Sequence, residues 1–217
     1  MIVPTTVIGL TSQAPLVLAA IGFALLYRLT GLINVAYAET ITLGAYFAMF
    51  LNTQYGLSFF VVLVPAGVLA GLLSVVTYLV VFRPAKLRGA GGLELIIISF
   101  GVSIVLRYGL QLIFGSPLRF FEVPMTDSIN ILGVGVASFR LVALGSVILI
   151  AIGLYVFIQH SRYGLMVRAL AGDQELAQVS GIRPLTVTVL VWFIAGVAGG
   201  MAGAFYGGDS SVSPLLG

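Results

Sequence analysis

The sequence predicts an all-α integral membrane protein of about six transmembrane helices, with a short helix on its cytoplasmic side. Three observations predict it. Of 217 residues, 60% are hydrophobic and only 8% are charged, whereas a soluble domain carries about 25% charged residues. Mean hydropathy is +1.17, and the apolar residues gather into runs of roughly 20, enough to cross about 30 Å of hydrocarbon. The ten Lys/Arg residues stand mostly at the ends of those runs. That is how topology signals are distributed, and it argues for membrane lipid as the surroundings and against a nucleic-acid partner.

The first run, 7–27, has no basic segment before it and reads as a retained helix rather than a signal peptide. Arg28 and Gly31 end it. The second, 35–51, is apolar apart from Glu39, and residues 52–56 form a short turn. The third, 57–82, contains Pro65, which kinks it or marks its first turn. A basic, glycine-rich loop, 83–92, follows. The fourth run, 93–114, has Glu94 at its start and Arg107 inside. The long non-spanning segment 115–138 holds Pro117, Pro124, Asp127 and Asn130. Its pieces 119–123 and 129–136 have enough strand character for a small hairpin. The fifth and sixth spans are 139–159 and 185–206, and a polar ending follows.

Six spans starting outside place Arg28, Arg83, Lys86, Arg88, Arg162, Arg168 and Arg183 on one side, and Arg119 and Arg140 on the other. The positive-inside rule makes the first side cytoplasmic. Segment 160–183 is then cytoplasmic, while 115–138 and the N-terminus face out. A re-entrant second run would reverse every later segment, so the charge distribution favours a full span there.

The polar stretch 160–183 is the most structured interruption. It carries Arg162, Arg168, Arg183, Asp173 and Glu175, with turn glycines at Gly164, Gly172 and Gly181. Gly172 and Asp173 can cap a helix over 173–180, about 12 Å long. Glu175 favours its positive end, and Gly181 suits the residue just past its last turn. Leu176, Val179 and Ser180 share one face. Two readings stand: a solvated loop helix with no partner, or a docking element.

Two charges lie in the interior of predicted spans, beyond the end positions of Glu94 and Arg140, where ionisable groups are costly. Glu39 reads as a snorkelling or helix-N-terminal carboxylate, or as a group lining a path or an interhelical contact. Arg107 must face protein or a wet cavity. Glu94, thirteen residues away, is about 20 Å distant along the helix and cannot pair with it. In the sixth span Gly196/Gly200, Gly199/Gly203 and Gly203/Gly207 have the four-residue spacing that brings helix backbones together. Gly67/Gly71 repeats it in the third. A glycine-lined path is the other reading. There is no cysteine and only one histidine, His160, so neither a metal site nor a cofactor is expected. No P-loop motif and no nucleophile–base or paired-carboxylate arrangement appears, so no catalytic residue is expected and the chain does not read as an enzyme.

Two motifs identify a family. Gly31-Leu-Ile-Asn34-Val-Ala-Tyr37-Ala38-Glu39-Thr-Ile-Thr-Leu-Gly44-Ala-Tyr46 resembles the G-x-I-N-x-A-H-G-(E/D)-x-x-x-L-G-A-Y signature of permeases from branched-chain amino acid ABC importers. Gly164, Arg168, Ala169, Asp173, Ala177, Gly181 and Ile182 stand in the places of their coupling segment, T-x-x-G-x-x-x-R-A-x-x-x-D-x-x-x-A-x-x-x-G-I. The resemblance covers nearly the whole chain and is closer to the first of the two permease types in such importers.

The resemblance implies half of a translocation pore in the cell membrane. Its partners would be a homologous permease, two cytoplasmic ABC ATPase subunits that hydrolyse ATP, and an extracytoplasmic solute-binding protein. Arg168, Gly172, Asp173, Glu175, Ala177 and Gly181 would couple to an ATPase. Asn34, Glu39 and Arg107 would belong to the translocation path or to intramembrane polar contacts, and Gly196, Gly200 and Gly203 to helix packing. The chain departs from the family at Tyr37-Ala38, where His-Gly is usual, and at Arg107, where an uncharged polar residue is usual. The family has about eight helices, so a C-terminal truncation is also expected. Alternatives are an ATP-independent transporter or channel, suggested by Glu39 and Arg107, and a non-transporting remnant, suggested by the short C-terminus.

Overall fold

The protein is described by a computed structural model covering residues 2–115, 128–131, 134–209 and 212. Helix α1 (Ile2–Thr30) ends where Gly31 turns the chain with φ 64°, its N–H bonded to Tyr27 O. Helix α2 (Tyr37–Tyr55) runs through most of the expected 52–56 turn and is stopped by Gly56 at φ 62°. Helix α3 (Phe59–Thr77) passes into a π turn (Tyr78–Phe82) and then α4 (Arg83–Leu87). The first part of the expected 83–92 loop is therefore helical. Pro84 has no N–H, and its ring would clash with the carbonyl four residues back. The π turn lies immediately before it, with Arg83 N–H bonding Tyr78 O five residues back. Pro65 lies well inside α3, past its first turn.

Helix α5 (Gly92–Phe114) begins with the Glu94 carboxylate accepting from Gly91 N–H, one half of a capping box. The hairpin β1 (Ser128–Ile131) and β2 (Val134–Ala137) is antiparallel, with Ser128 opposite Ala137. The piece expected as one strand, 129–136, thus folds back on itself. The other piece, 119–123, lies outside the described residues. Then come α6 (Ser138–His160), α7 (Arg162–Gly172), α8 (Gln174–Val179) and α9 (Pro184–Asp209).

Among the described residues, five helical stretches are long and apolar enough to cross a membrane: Thr11–Thr30, Phe59–Leu87, Gly92–Phe114, Ser138–His160 and Pro184–Asp209. Helix α2 is not among them, because Glu39, Thr40, Thr42, Asn52 and Gln54 dilute its apolar content. Most of its polar side chains turn inward instead: Glu39, Thr40, Thr42 and Asn52 are buried, while Gln54 near the C-terminal end is exposed.

Helix α9 is the centre of the bundle, packed on α3, α2 and α1. Its glycines decide how close the neighbours come. A Cβ on Gly196 would lie 2.6 Å from Ser74 Cβ and 2.8 Å from Gly71 Cα. One on Gly200 would lie 2.5 Å from Ala70 Cβ, and one on Gly203 would overlap the Ile41 carbonyl. Along α9, Phe205, Gly196 and Trp192 meet Phe59, Gly71 and Phe82 of the α3–α4 stretch, so the two run antiparallel. Tyr37 meets Ala195 and Gly44 meets Gly200, so α2 runs parallel to α9. The Arg140 guanidinium closes the hairpin end of the bundle on Asp209 at 2.6 Å.

Candidate functional site

Two sites emerge, one outside the apolar bundle and one within it. The first is the segment between α6 and α9. Its first half is a helix, α7, where a loop was expected. The Ser161 hydroxyl accepts from Gly164 N–H at 2.9 Å and starts it, and Gly164, Val167 and Leu170 form its buried side. Gly164 and Gly172 are therefore helical rather than turn glycines. At Gly164 a side chain would overlap the Ile158 carbonyl. Arg168 bends back to donate to the Ile158 and Gln159 carbonyls. A cation there satisfies and neutralises the C-terminal end of α6, so this guanidinium is engaged within its own chain.

Helix α8 is capped at both ends by local chemistry. Asp173 Oδ1 accepts from Glu175 N–H and Leu176 N–H, each at 2.9 Å. Gly181, at φ 85°, donates to Gln178 O while Ile182 donates to Ala177 O, the pair of bonds that closes a helix on a left-handed residue. The helix is Gln174–Val179, shorter than the expected 173–180. Buried Ala177 holds it to the bundle in one apolar cluster with Val167, Leu170, Phe82, Val187 and Trp192. Leu176 and Val179 face away, 65% and 87% exposed, and Glu175 is exposed beside them. Asp173→Ala removes the acceptor for two N–H groups and is expected to cost about 1 kcal/mol locally. Amide exchange at residues 175–178 should rise roughly fivefold, measured by mass spectrometry.

The second site lies between α2 and α5, which run in the same direction. Val35 N–H bonds Ser99 Oγ, and Ser103 Oγ bonds Glu39 Oε1 at 2.9 Å, both across 64 residues. Arg107 Nε and Nη2 also donate to Glu39 Oε1, at 3.0 and 2.6 Å. Glu39 is 0% exposed, so its carboxylate does not snorkel. The Arg107 side chain is 34% exposed. Glu39 Oε2 and Asn34 Oδ1 are buried without a hydrogen-bond partner. Tyr37, where the family pattern has histidine, puts its hydroxyl 3.1 Å from Ala19 O and 3.0 Å from Ala195 O. Gly22 and Gly199 leave the space for it, and it ties α2 to α1 and α9.

The structure thus brings Glu39 and Arg107 together and keeps them apart from the α7–α8 segment. Sequence reading missed Ser99 and Ser103, whose four-residue spacing on α5 matches that of Val35 and Glu39. It also missed α7, which the Ser161 cap and the apolar spacing of Gly164, Val167 and Leu170 could have revealed. Among the described residues no His/Cys/Asp/Glu group could hold a metal ion.

Comparison with known proteins agrees with this architecture. The family model described as "Branched-chain amino acid transport system / permease component" matches residues 5–215. The high-affinity branched-chain amino acid permease LivH of Salmonella typhimurium is 28% identical over 96% of this chain and 72% of its own length. The high-affinity branched-chain amino acid permease BraD of Pseudomonas aeruginosa is 28% identical over 92% and 70%. A probable LivH of Methanocaldococcus jannaschii is 25% identical over 93% and 65%. No solved structure matches. With a family model covering nearly the whole chain and helices that can cross a membrane several times, the chain belongs to the permease-component family of branched-chain amino acid transport systems.

Proposed function

We propose that this permease is a subunit of an ATP-driven ABC importer and forms half of a translocation pathway for branched-chain or related amino acids. One observation carries the reading. Helix α8 is fixed at both ends and seated on the bundle core through Ala177, yet it presents Leu176 and Val179 outward. Exposed apolar side chains on a pre-ordered helix lose little further entropy on docking. The sequence has no P-loop of its own, so the energy source is a separate ATPase, seated on α8.

In this reading the N-terminus lies outside and 160–183 lies in the cytoplasm, with α2 counted as a span. Its course parallel to α9 supports that count. A push on α8 passes through Ala177, Leu170 and Val167 to Trp192 and Val187 of α9, and so reaches the helix on which α1, α2 and α3 pack. That is a rigid route for switching access, the mode of motion many transporters use. Asp173 and Gly181 set the shape of α8, while Arg168, Gly164 and Gly172 shape the platform beneath it. A homologous permease and an extracytoplasmic binding protein complete the assembly, and the binding protein selects the amino acid.

Leu176→Glu with Val179→Glu tests this. Burying both side chains at an interface is expected to contribute about 2 kcal/mol in total, so recovery of the cognate ATPase by co-purification should fall about thirtyfold. ATP-driven leucine uptake in proteoliposomes holding the whole importer should fall with it, while the permease elutes as before. Unchanged co-purification and uptake would remove ATPase docking from α8.

A further inference from the structure

Where the α7–α8 segment meets the bundle, a cavity of about 340 Å³ remains open. Its floor is Trp192, with Tyr78 and Phe82 rings at 5.2 and 5.1 Å. The π turn carries both rings. The one helical irregularity described in the α3–α4 stretch therefore lines this space, and π turns recur at functional sites. Arg83 and Lys86 stand at the rim, both exposed, and among the described residues no carboxylate lines the cavity. Among the described residues neither cation makes an ion pair.

Trp192 itself is incomplete. It is 2% exposed, and its indole N–H has no hydrogen-bond partner. That group can only donate. A ligand that fits must bring negative charge for the two rim cations and apolar mass for the remaining walls, and any group of it that reaches the indole must be an acceptor. Leu87 and Leu185, both exposed, continue the lining to the outer surface of the chain.

We propose that this cavity binds an anionic phospholipid, with its phosphate at Arg83 and Lys86 and its glycerol–ester region over Trp192. The leaflet assignment rests on the orientation proposed above, in which the two cations sit at the cytoplasmic interface; basic pockets between helices at that level suit anionic headgroups. Leu170 and Gln174 from the coupling segment also line the cavity. The lipid would bridge bundle and coupling segment at the joint through which α8 acts.

Trp192 is the sole tryptophan, so its fluorescence reports on this cavity directly. The full chain is reconstituted into phosphatidylcholine vesicles containing increasing amounts of dibrominated phosphatidylglycerol or dibrominated phosphatidylcholine. Half-maximal quenching by the anionic lipid is expected at about one fifth of the mole fraction, or less, that the zwitterionic lipid requires. In Arg83→Gln with Lys86→Gln, two exposed positions, the two curves should coincide. Equal quenching by both lipids in the wild type overturns the proposal. So does a preference that survives the double substitution, or a Trp192 that neither lipid quenches, which would mean a protein segment fills the space. The chain has no cysteine, so Arg88→Cys labelled with an impermeant maleimide tests orientation separately. Labelling from the outer side would overturn the orientation alone, and the quenching data would still decide the site.

Discussion

Arg107→Ala is expected to destabilise the protein by about 3 kcal/mol, the low end of what breaking a buried ion pair costs. The low end applies because the Arg107 side chain is 34% exposed while Glu39 is not exposed at all. Removing the guanidinium leaves a carboxylate inside the bundle whose Oε1 keeps only the Ser103 hydroxyl and whose Oε2 already lacks a partner. Replacing both members should be far milder, because an apolar pair of similar volume carries no desolvation penalty. Glu39→Leu with Arg107→Leu should therefore recover most of the loss, and be more stable than Arg107→Ala alone. Denaturant titration in micelles followed by Trp192 emission measures all three. If Arg107→Ala is neutral, or the double variant is no better than the single one, the pair does not hold α2 to α5. The order of stabilities also separates a structural pair from a transport residue: a double variant that is stable but fails in uptake would place the pair in the pathway.

The bundle was legible in the sequence wherever local composition decides. Arg28 and Gly31, Gly56, and Pro184 mark helix ends because a charge, a left-handed glycine or a fixed φ acts on its own neighbourhood. The α8 caps were legible for the same reason: Asp173 and Gly181 bond only to residues within five positions of themselves or of their helix end. What was not legible depends on contacts between distant segments. Arg107 and Glu39 are 68 residues apart, and nothing local to either names the other, although they are the only charges more than two residues inside a predicted span. Arg168 belongs to a motif that suggests an outward role, yet its guanidinium is held by carbonyls of the preceding helix. Helix α7 is hidden in the sequence because Gly164 and Gly172 weigh against helix by propensity. Tertiary packing outweighs that, since Gly164 is the residue that lets α7 start against Ile158. Tyr78–Phe82 shows the same limit: Pro84 signals an irregularity, but only the fold shows that it takes the form of a π turn beside Trp192.

Gly203→Ala should be more damaging than the same change at Gly196, Gly199, Gly200 or Gly208 of α9. Its Cβ would overlap the carbonyl of Ile41 and stand 3.2 Å from Ala45 N. Both obstacles are backbone, so no rotamer change removes the clash, and α2 must move away from α9 as a body. Overpacking of this kind costs about 1–3 kcal/mol and sometimes more, and here the displacement also opens the Gly44–Gly200 contact. The expected result is a loss of about 3 kcal/mol or more, seen as aggregation in size-exclusion chromatography or a clearly lower Tm. Gly145→Ala and Gly153→Ala on α6 meet nothing within 4 Å and should leave the elution profile unchanged, which controls for adding a methyl to a membrane helix. The comparison also decides between the two meanings of the glycine spacing. A glycine needed for close approach loses stability on gaining a methyl, whatever happens to transport. A glycine lining a path would keep its stability and change uptake, so a stable, monodisperse Gly203→Ala with altered leucine uptake would assign the stripe to the pathway instead of to packing.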